Sequence, residues 1–246
     1  MINKIVNLGY SRLEAEELLS VSNNIEEDYK KLLNKYPIQY LIGYVNFYGY
    51  KINVNEDVLI PRYETEFLVE KTIKYYKKLF NDKVSILDIG TGSGAISIAL
   101  KKNIDCDVTA CDISKKALEM AKNNAKSNNV DINFIESDIF NNINDKYDII
   151  ISNPPYISNN EEVEYSVDKY EPHLALYAND NGLYFYKEII KNASKYLNDK
   201  YIIAFEIGYQ QADDIIKIVD NNFTDVKTII EKDLSGKDRY LFIIKD

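Results

Sequence analysis

A chain of 246 residues has room for one large domain with a small appendage. Its composition, 46% hydrophobic and 28% charged, is that of a globular protein with a substantial core, and no apolar run approaches the roughly 20 residues that span a bilayer. A net charge of -9 repels a phosphate backbone unless a local basic patch offsets it; Lys101-Lys102 and Lys115-Lys116 are only scattered pairs on helical segments, so composition weighs against duplex DNA as a substrate.

The opening Met1-Ile-Asn-Lys4 lacks the apolar stretch of a signal peptide. Cys106 and Cys111 lie on or beside one predicted strand and suggest no disulfide framework, so a cytoplasmic protein is expected. Residues 1–36 read as short helices, with Leu13, Leu18, Leu19, Leu32 and Leu33 at near-helical spacing. Ser11 is placed to cap the first clear helix, with Glu14 completing a capping box. Between Pro37 and Pro61 the character changes. Tyr44–Tyr48 and Lys51–Asn55 flank Gly49-Tyr50 as a β-hairpin, and Glu64–Phe80 follows as an amphipathic helix.

From Val84 strands and helices alternate. Strands are predicted at Val84–Ile89, Asp107–Asp112, Ile132–Ser137, Tyr147–Ser152 and Tyr201–Glu206, and helices at Ala95–Lys102, Lys115–Ser127, Leu183–Leu197 and Gln210–Asn221. Two β-rich runs, Val226–Glu231 and Arg239–Ile244, close the chain around Ser235-Gly-Lys-Asp238. Near-continuous apolar strands alternating with helices predict an α/β fold, a mostly parallel sheet covered on both faces, with one antiparallel strand from the closing hairpin.

Asp88-Ile-Gly-Thr-Gly-Ser-Gly94 falls where the first of these strands meets its helix. Gly90, Gly92 and Gly94 permit a tight turn and close backbone approach to a ligand, while the helix start behind them directs free N–H groups at the turn. With Thr91 and Ser93 they suit a nucleotide-type cofactor. Asp112 ends the second strand, at the distance where an acidic side chain meets ribose hydroxyls, although it also suits a helix cap before Ser114. Asp138 follows the third strand and offers an acceptor to an adenine amino group. The loop by itself also suits NAD. Its glycines run GxGxG rather than GxGxxG, however, and with Asp88 two places ahead the pattern resembles the first motif of Rossmann-like S-adenosylmethionine methyltransferases. In that family Asp88 acts near the methionine amino end, chiefly through the loop it fixes.

Asn153-Pro-Pro-Tyr156 follows the fourth strand. An amide nitrogen is a poor nucleophile because its lone pair is delocalised into the carbonyl. A catalyst must hold that nitrogen in line with a methyl donor and favour localisation of the lone pair. The Asn153 side-chain oxygen and the Pro154 carbonyl supply two N–H acceptors, Pro154 and Pro155 restrict φ, and Tyr156 offers a flat face for a planar group. Preorganised acceptors supply the rate, with no classical general base. No His/Cys/Asp cluster has metal-ligand spacing, and no metal is expected. His173, the single histidine, reads as a surface loop residue. Arg62, Glu64 and Glu66 suit either local ion pairs at a helix start or a wall of the active site, and Glu171 suits the same wall or a turn cap.

The chain resembles the HemK-type protein-glutamine methyltransferases that modify peptide-chain release factors. The Asn-Pro-Pro-Tyr tetrapeptide is shared more widely with methyltransferases of DNA adenine and rRNA guanine. More specific are Pro37-Ile-Gln-Tyr-Leu-Ile-Gly43 with Phe47-Tyr-Gly49, Leu59-Ile-Pro-Arg-Tyr-Glu-Thr-Glu66, Tyr170-Glu-Pro172 with Ala175-Leu176, and Gly208-Tyr-Gln-Gln211; the match runs from about residue 37 to the C-terminus. The resemblance implies a helical segment at 1–36, a β-hairpin linker at 37–61 and a seven-stranded Rossmann-like methyltransferase domain at 62–246. It implies S-adenosylmethionine held by Gly90, Thr91, Gly92, Ser93, Gly94, Asp112, Asp138, Ile139 and Asn153, with Ile139 an aliphatic contact to adenine. Asn153, Pro154, Pro155 and Tyr156 hold the substrate, with Asn153, Pro154 and Tyr156 carrying the chemistry. The implied partner is a release factor, methylated at the glutamine of its Gly-Gly-Gln tip, with no nucleic acid or membrane.

Three other functions are weighed against this one. A ribosomal-protein glutamine fits the same chemistry. A flipped nucleic-acid base presents a similar flat amino group, against which stand the acidic charge and the lack of an evident target-recognition domain. A non-catalytic cofactor-binding subunit is disfavoured by the intact Asn153–Tyr156 run.

Overall fold

The computed structural model describes residues 1–246. Four short helices open it: α1 (Ile2–Val6), α2 (Arg12–Val21), α3 (Ile25–Leu33) and α4 (Ile38–Ile42). The capping box forms as expected. Ser11 Oγ accepts from the Glu14 N–H, and the Glu14 carboxylate accepts from the Ser11 N–H. Of the leucines at helical spacing, Leu18 and Leu32 are buried, whereas Leu13 and Leu33 face solvent. Ile5, Ala15, Ile38 and Ile42 complete the small core with Leu18 and Leu32, drawing on segments on either side of the two main helices.

α4 ends at Gly43, whose φ of +86° forms a left-handed cap and turns the chain into the hairpin of β1 (Tyr44–Phe47) and β2 (Tyr50–Asn53). The turn is Tyr48-Gly49, one residue earlier than predicted. Both residues have positive φ, as a two-residue turn matched to strand twist requires, and Phe47 pairs with Tyr50 across it.

The rest of the chain builds a seven-stranded sheet. α5 (Tyr63–Leu79) leads into β3 (Val84–Ile89), α6 (Ala95–Asn103), β4 (Cys106–Asp112), α7 (Lys115–Ser127), β5 (Asn133–Glu136) and β6 (Tyr147–Ser152). After β6 come a two-residue strand β7 (Ile157–Ser158), α8 (Tyr165–Tyr170) and β8 (Tyr177–Ala178). α9 (Tyr184–Ala193), β9 (Leu197–Glu206), α10 (Ala212–Asn222), β10 (Lys227–Lys232) and β11 (Asp238–Lys245) complete it. The sheet order is β10-β11-β9-β6-β3-β4-β5, and β11 alone runs antiparallel to its neighbours, as the closing hairpin predicts.

Strand alternation divides the core between the two sheet faces. Ile86, Val108, Ala110, Ile149, Ile151, Ile202 and Ala204 pack with α5 and α6, while Leu87, Ile150, Ile203 and Phe205 pack with α9 and α10. Register then decides what lies together at the carboxyl edge. Ile89 pairs with Ser152 and with Cys111, and Ser152 pairs with Phe205. The next residue on each strand therefore emerges on one line: Gly90, Asn153, Asp112 and Glu206. The small parallel pair β7–β8 and α8 were not anticipated; they fold the segment after Tyr156 back beside the sheet edge.

Candidate active site

The glycine loop is tied to the neighbouring strand through its backbone. The Gly90 and Thr91 N–H groups both donate to the Cys111 carbonyl at 2.9 Å. Gly90, Gly92 and Gly94 have φ of +72°, +55° and +82°. Gly94 adjoins α7, where a Cβ would lie 3.1 Å from Ala121 Cβ. A Cβ on Gly90 or Gly92 would meet no protein atom within 4 Å, and both residues line the main cavity, so their exposed flanks are open to a ligand.

Asp88 is buried beneath this loop, and its Oδ2 accepts from Thr91 Oγ1 at 2.7 Å and Ser97 Oγ at 2.6 Å. Burial pushes its carboxyl up to about 6 against the opposing pull of those hydrogen bonds. The expected loop-fixing role matches this position. Asp112 reaches into the same loop: Oδ2 accepts from the Gly92 N–H at 2.8 Å and Oδ1 from the Ser114 N–H at 2.9 Å. Burial raises its carboxyl while these backbone donors oppose the rise. The cap of α7 is Ser114 itself, whose Oγ accepts from the Ala117 N–H. Each Asp112 oxygen keeps a second lone pair, and Asp112 lines the cavity.

The main cavity has a volume of about 320 Å³ and passes from Ile113, Asp138 and Ile139 at one side, past the glycine loop, to Asn153 and Pro154. Ile139 adopts φ of +50°, a strained conformation for a β-branched residue. Its carbonyl accepts from Ser137 Oγ at 3.0 Å and from Cys111 Sγ at 3.6 Å, which pins the turn. Asp138 is exposed at the cavity wall. Open glycine flanks, a carboxylate and an apolar wall fit a cofactor with an amino-acid end, a ribose and a flat base.

Asn153 is half-buried and Pro154 buried. Asn153 Nδ2 donates to Thr65 Oγ1 at 3.1 Å, and Thr65 Oγ1 donates to Glu206 Oε2 at 2.7 Å. Tyr156 is held through its backbone: Gln211 Nε2 donates to the Tyr156 carbonyl at 2.9 Å, and Gln211 Oε1 accepts from the Gly208 N–H at 2.9 Å. Gly182 has no room for a side chain, since a Cβ there would lie 2.1 Å from the Tyr156 oxygen. Asn153, Pro154 and Arg62 line both the main cavity and a second one of about 100 Å³, whose other walls include Tyr156, Val167 and Glu206. Pro155 lines only the main cavity and Tyr156 only the second.

Arg62 forms no local ion pair. It donates to Glu171, whose other oxygen accepts from the Ile60 N–H at 3.0 Å, so one buried carboxylate joins the segment before α5 to the segment after α8. His173 is exposed, with its ring nitrogen against the Asp168 carbonyl, and stands apart from both cavities. Thr65 and Glu206 were not singled out as site residues from sequence. The available signal was Glu206, a charge closing the apolar strand run Tyr201–Phe205.

Residues 65–169 match the family model described as methyltransferase small domain. The chain is 44% identical to the release factor glutamine methyltransferase of Streptococcus pneumoniae, over 89% of this chain and 78% of that one. It is 42% identical to the release factor glutamine methyltransferase of Lactococcus lactis, over 98% of this chain and 89% of that one. Among solved structures, a 16S rRNA methyltransferase of T. thermophilus in complex with AdoMet and guanosine superposes with a TM-score of 0.59 at 15% identity, covering 82% of this chain and 50% of that one, a likeness of fold.

Proposed function

We propose that this chain, which belongs to the release factor glutamine methyltransferase family, methylates the side-chain amide nitrogen of the glutamine in the Gly-Gly-Gln motif of peptide chain release factors. The observation that carries the reading is the shared wall: Asn153 and Pro154 face the cofactor cavity on one side and a small side-chain-sized cavity on the other. An amide held between the two meets its acceptors and the methyl donor at one point.

S-adenosylmethionine supplies an electrophilic methyl group on a sulfonium when bound. The glycine loop offers backbone to its amino-acid end, Asp112 offers acceptors to its ribose hydroxyls, and Asp138 and Ile139 border its adenine. Asn153 Oδ1 accepts one N–H of the substrate amide and the Pro154 carbonyl the other. With both N–H groups directed, rotation out of line is suppressed and electron density stays on nitrogen; such positioning lowers the barrier, and the one N–H proton that the methylated nitrogen gives up passes to solvent, without a dedicated base. Tyr156 bounds the second cavity beside the amide. Burial and the nearby Glu206 carboxylate raise its phenol above the ordinary range, so it remains neutral.

The helical segment 1–36 and the hairpin linker 37–61 stand outside the sheet, and we assign them to docking the release factor. No helix is long and apolar enough to cross a membrane, and we place the enzyme in the cytoplasm, with its protein substrate. The acidic net charge supports a protein rather than a nucleic-acid partner. The test is mass spectrometry of purified release factor after incubation with enzyme and labelled cofactor. One labelled methyl group on the tip glutamine is expected; equal labelling of a factor with that glutamine replaced overturns the substrate.

A further inference from the structure

The amide of Asn153 has two orientations, and only one presents an oxygen to an incoming N–H. Nothing in the tetrapeptide itself selects between them. The groups behind it do. Thr65 Oγ1 carries a single proton and sits between two partners, Asn153 Nδ2 at 3.1 Å and Glu206 Oε2 at 2.7 Å. Glu206 is buried at the end of β9, in register with the strand that delivers Asn153, and Thr65 lies in the first turn of α5.

We propose that Glu206 and Thr65 are positioning residues that set the orientation of the Asn153 amide, with an ionised Glu206 selecting the reactive one. A carboxylate only accepts, so it draws the Thr65 proton onto itself. Thr65 is then left as an acceptor for Asn153, which must turn its Nδ2 toward Thr65 and its Oδ1 toward the substrate. Protonation of Glu206 reverses the logic. The acid donates to Thr65 Oγ1, the threonine proton becomes free to point at Asn153, and the flipped amide, with its NH₂ facing the substrate, becomes accessible. The inference rests on the amide-methylating reading above and adds a control to it.

The electrostatic setting places this switch in an accessible pH range. Burial pushes the Glu206 carboxyl up, the Thr65 hydrogen bond and the cationic Arg239 and Arg62 pull it down, and Glu64 on α5 raises it again, leaving it at about 7. The remaining titratable neighbours are the phenols of Tyr156, Tyr186 and Tyr240, which burial, with the Glu206 charge, keeps neutral; Tyr186 also donates to the Glu206 backbone carbonyl.

Two measurements on the full chain test the relay. The first follows kcat for release-factor methylation from pH 6 to pH 8.5. Wild type should lose about tenfold in kcat between pH 8 and pH 6, with cofactor affinity unchanged. Glu206→Gln should be slow at pH 8 and lack that acid limb. Thr65→Val should behave likewise, and Thr65→Ser should restore most of kcat because it keeps the hydroxyl. An acid limb that survives in Glu206→Gln, or native kcat in Thr65→Val, overturns the relay. The second measurement needs no substrate. The Asn153 side-chain amide resonances, identified by their loss in Asn153→Ala, should shift with a midpoint near pH 7 in wild type and stay still in Glu206→Gln and Thr65→Val. If they do not titrate in wild type, the relay is wrong. If they titrate while release factor accepts no methyl group, the substrate is wrong and the relay stands.

Discussion

Asn124 clasps the peptide of Asn53. Its Oδ1 accepts from the Asn53 N–H at 2.8 Å, and its Nδ2 donates to the Asn53 carbonyl at 2.9 Å. The same Nδ2 donates to the Ser93 carbonyl at 2.9 Å, so one fully buried amide on α7 joins the hairpin to the cofactor loop. Asn124→Ala removes these bonds together and strands three backbone groups in two segments, the hairpin and the cofactor loop. The expected loss is roughly 3 kcal/mol of stability, seen as a melting temperature lower by about 6–12 °C. Cofactor affinity should fall as well, because Ser93 belongs to the loop. A melting temperature equal to wild type would show that water replaces the amide and that the tie carries no weight.

Asp112 has two duties, and its substitution separates them from the helix that follows. Asp112→Ala deletes the acceptor for the Gly92 N–H along with any contact to ribose hydroxyls, while Ser114 still caps α7. The fold should therefore persist and cofactor binding weaken by about 1–3 kcal/mol. Titration calorimetry with S-adenosylmethionine checks this; unchanged affinity in the folded variant removes Asp112 from the binding site.

Glu206 also makes a stability prediction whose sign follows from linkage. Its carboxyl stands at about 7 in the folded protein against an ordinary 4.5, so the native state binds more protons than the unfolded chain between those values. Stability then falls as pH rises through that window and levels off above it, by roughly 3 kcal/mol in all. Asp88, raised to about 6, adds a change of the same sign centred lower, and Glu231, lowered to about 2 despite burial by its Lys71, Tyr75 and Lys74 partners, acts with the opposite sign only below its ordinary value of 4.5. Between pH 6 and 8 the slope thus belongs mainly to Glu206. Melting curves of wild type should drop across that range, and those of Glu206→Gln should be flatter. Parallel slopes for the two proteins would contradict the assignment.

What was legible in the sequence was local. The glycine loop, Asp112 at a strand end and the Asn153–Tyr156 run are each readable within a few residues, and strand–helix alternation predicts the parallel sheet. The supports of the site are long-range. Thr65 and Glu206 are 141 residues apart, Arg62 and Glu171 are 109 apart, and Asn53 and Asn124 are 71 apart. Glu206 reaches the wall that carries Asn153 only because β9 lies beside β6, a neighbour relation that hydrophobic periodicity does not encode. The hairpin turn shifted by one residue for a smaller reason: Tyr48, rather than a second flexible residue, takes the left-handed conformation.

Asn153 should be needed for transfer far more than for binding. Asn153→Ala removes the acceptor for the substrate N–H and leaves the Thr65–Glu206 bond intact, so the surrounding wall keeps its shape. The glycine loop and Asp112 lie on other strands, and cofactor affinity should stay within a few-fold of wild type, as loss of one wall contact allows. The rate should drop by about two to three orders of magnitude, the usual consequence of deleting one preorganised partner at a reacting centre. Asn153→Asp adds a sharper test. A carboxylate there retains an acceptor but cannot donate to Thr65, whose only proton is already drawn to Glu206. Two anionic groups would then compete for one hydroxyl, so Asp should also be slow at pH 8, and lowering the pH should recover part of its rate where wild type loses rate. Single-turnover methylation of release factor across that pH range reads both variants. Near-native turnover in Asn153→Ala removes the side-chain acceptor from the mechanism, whatever the substrate proves to be.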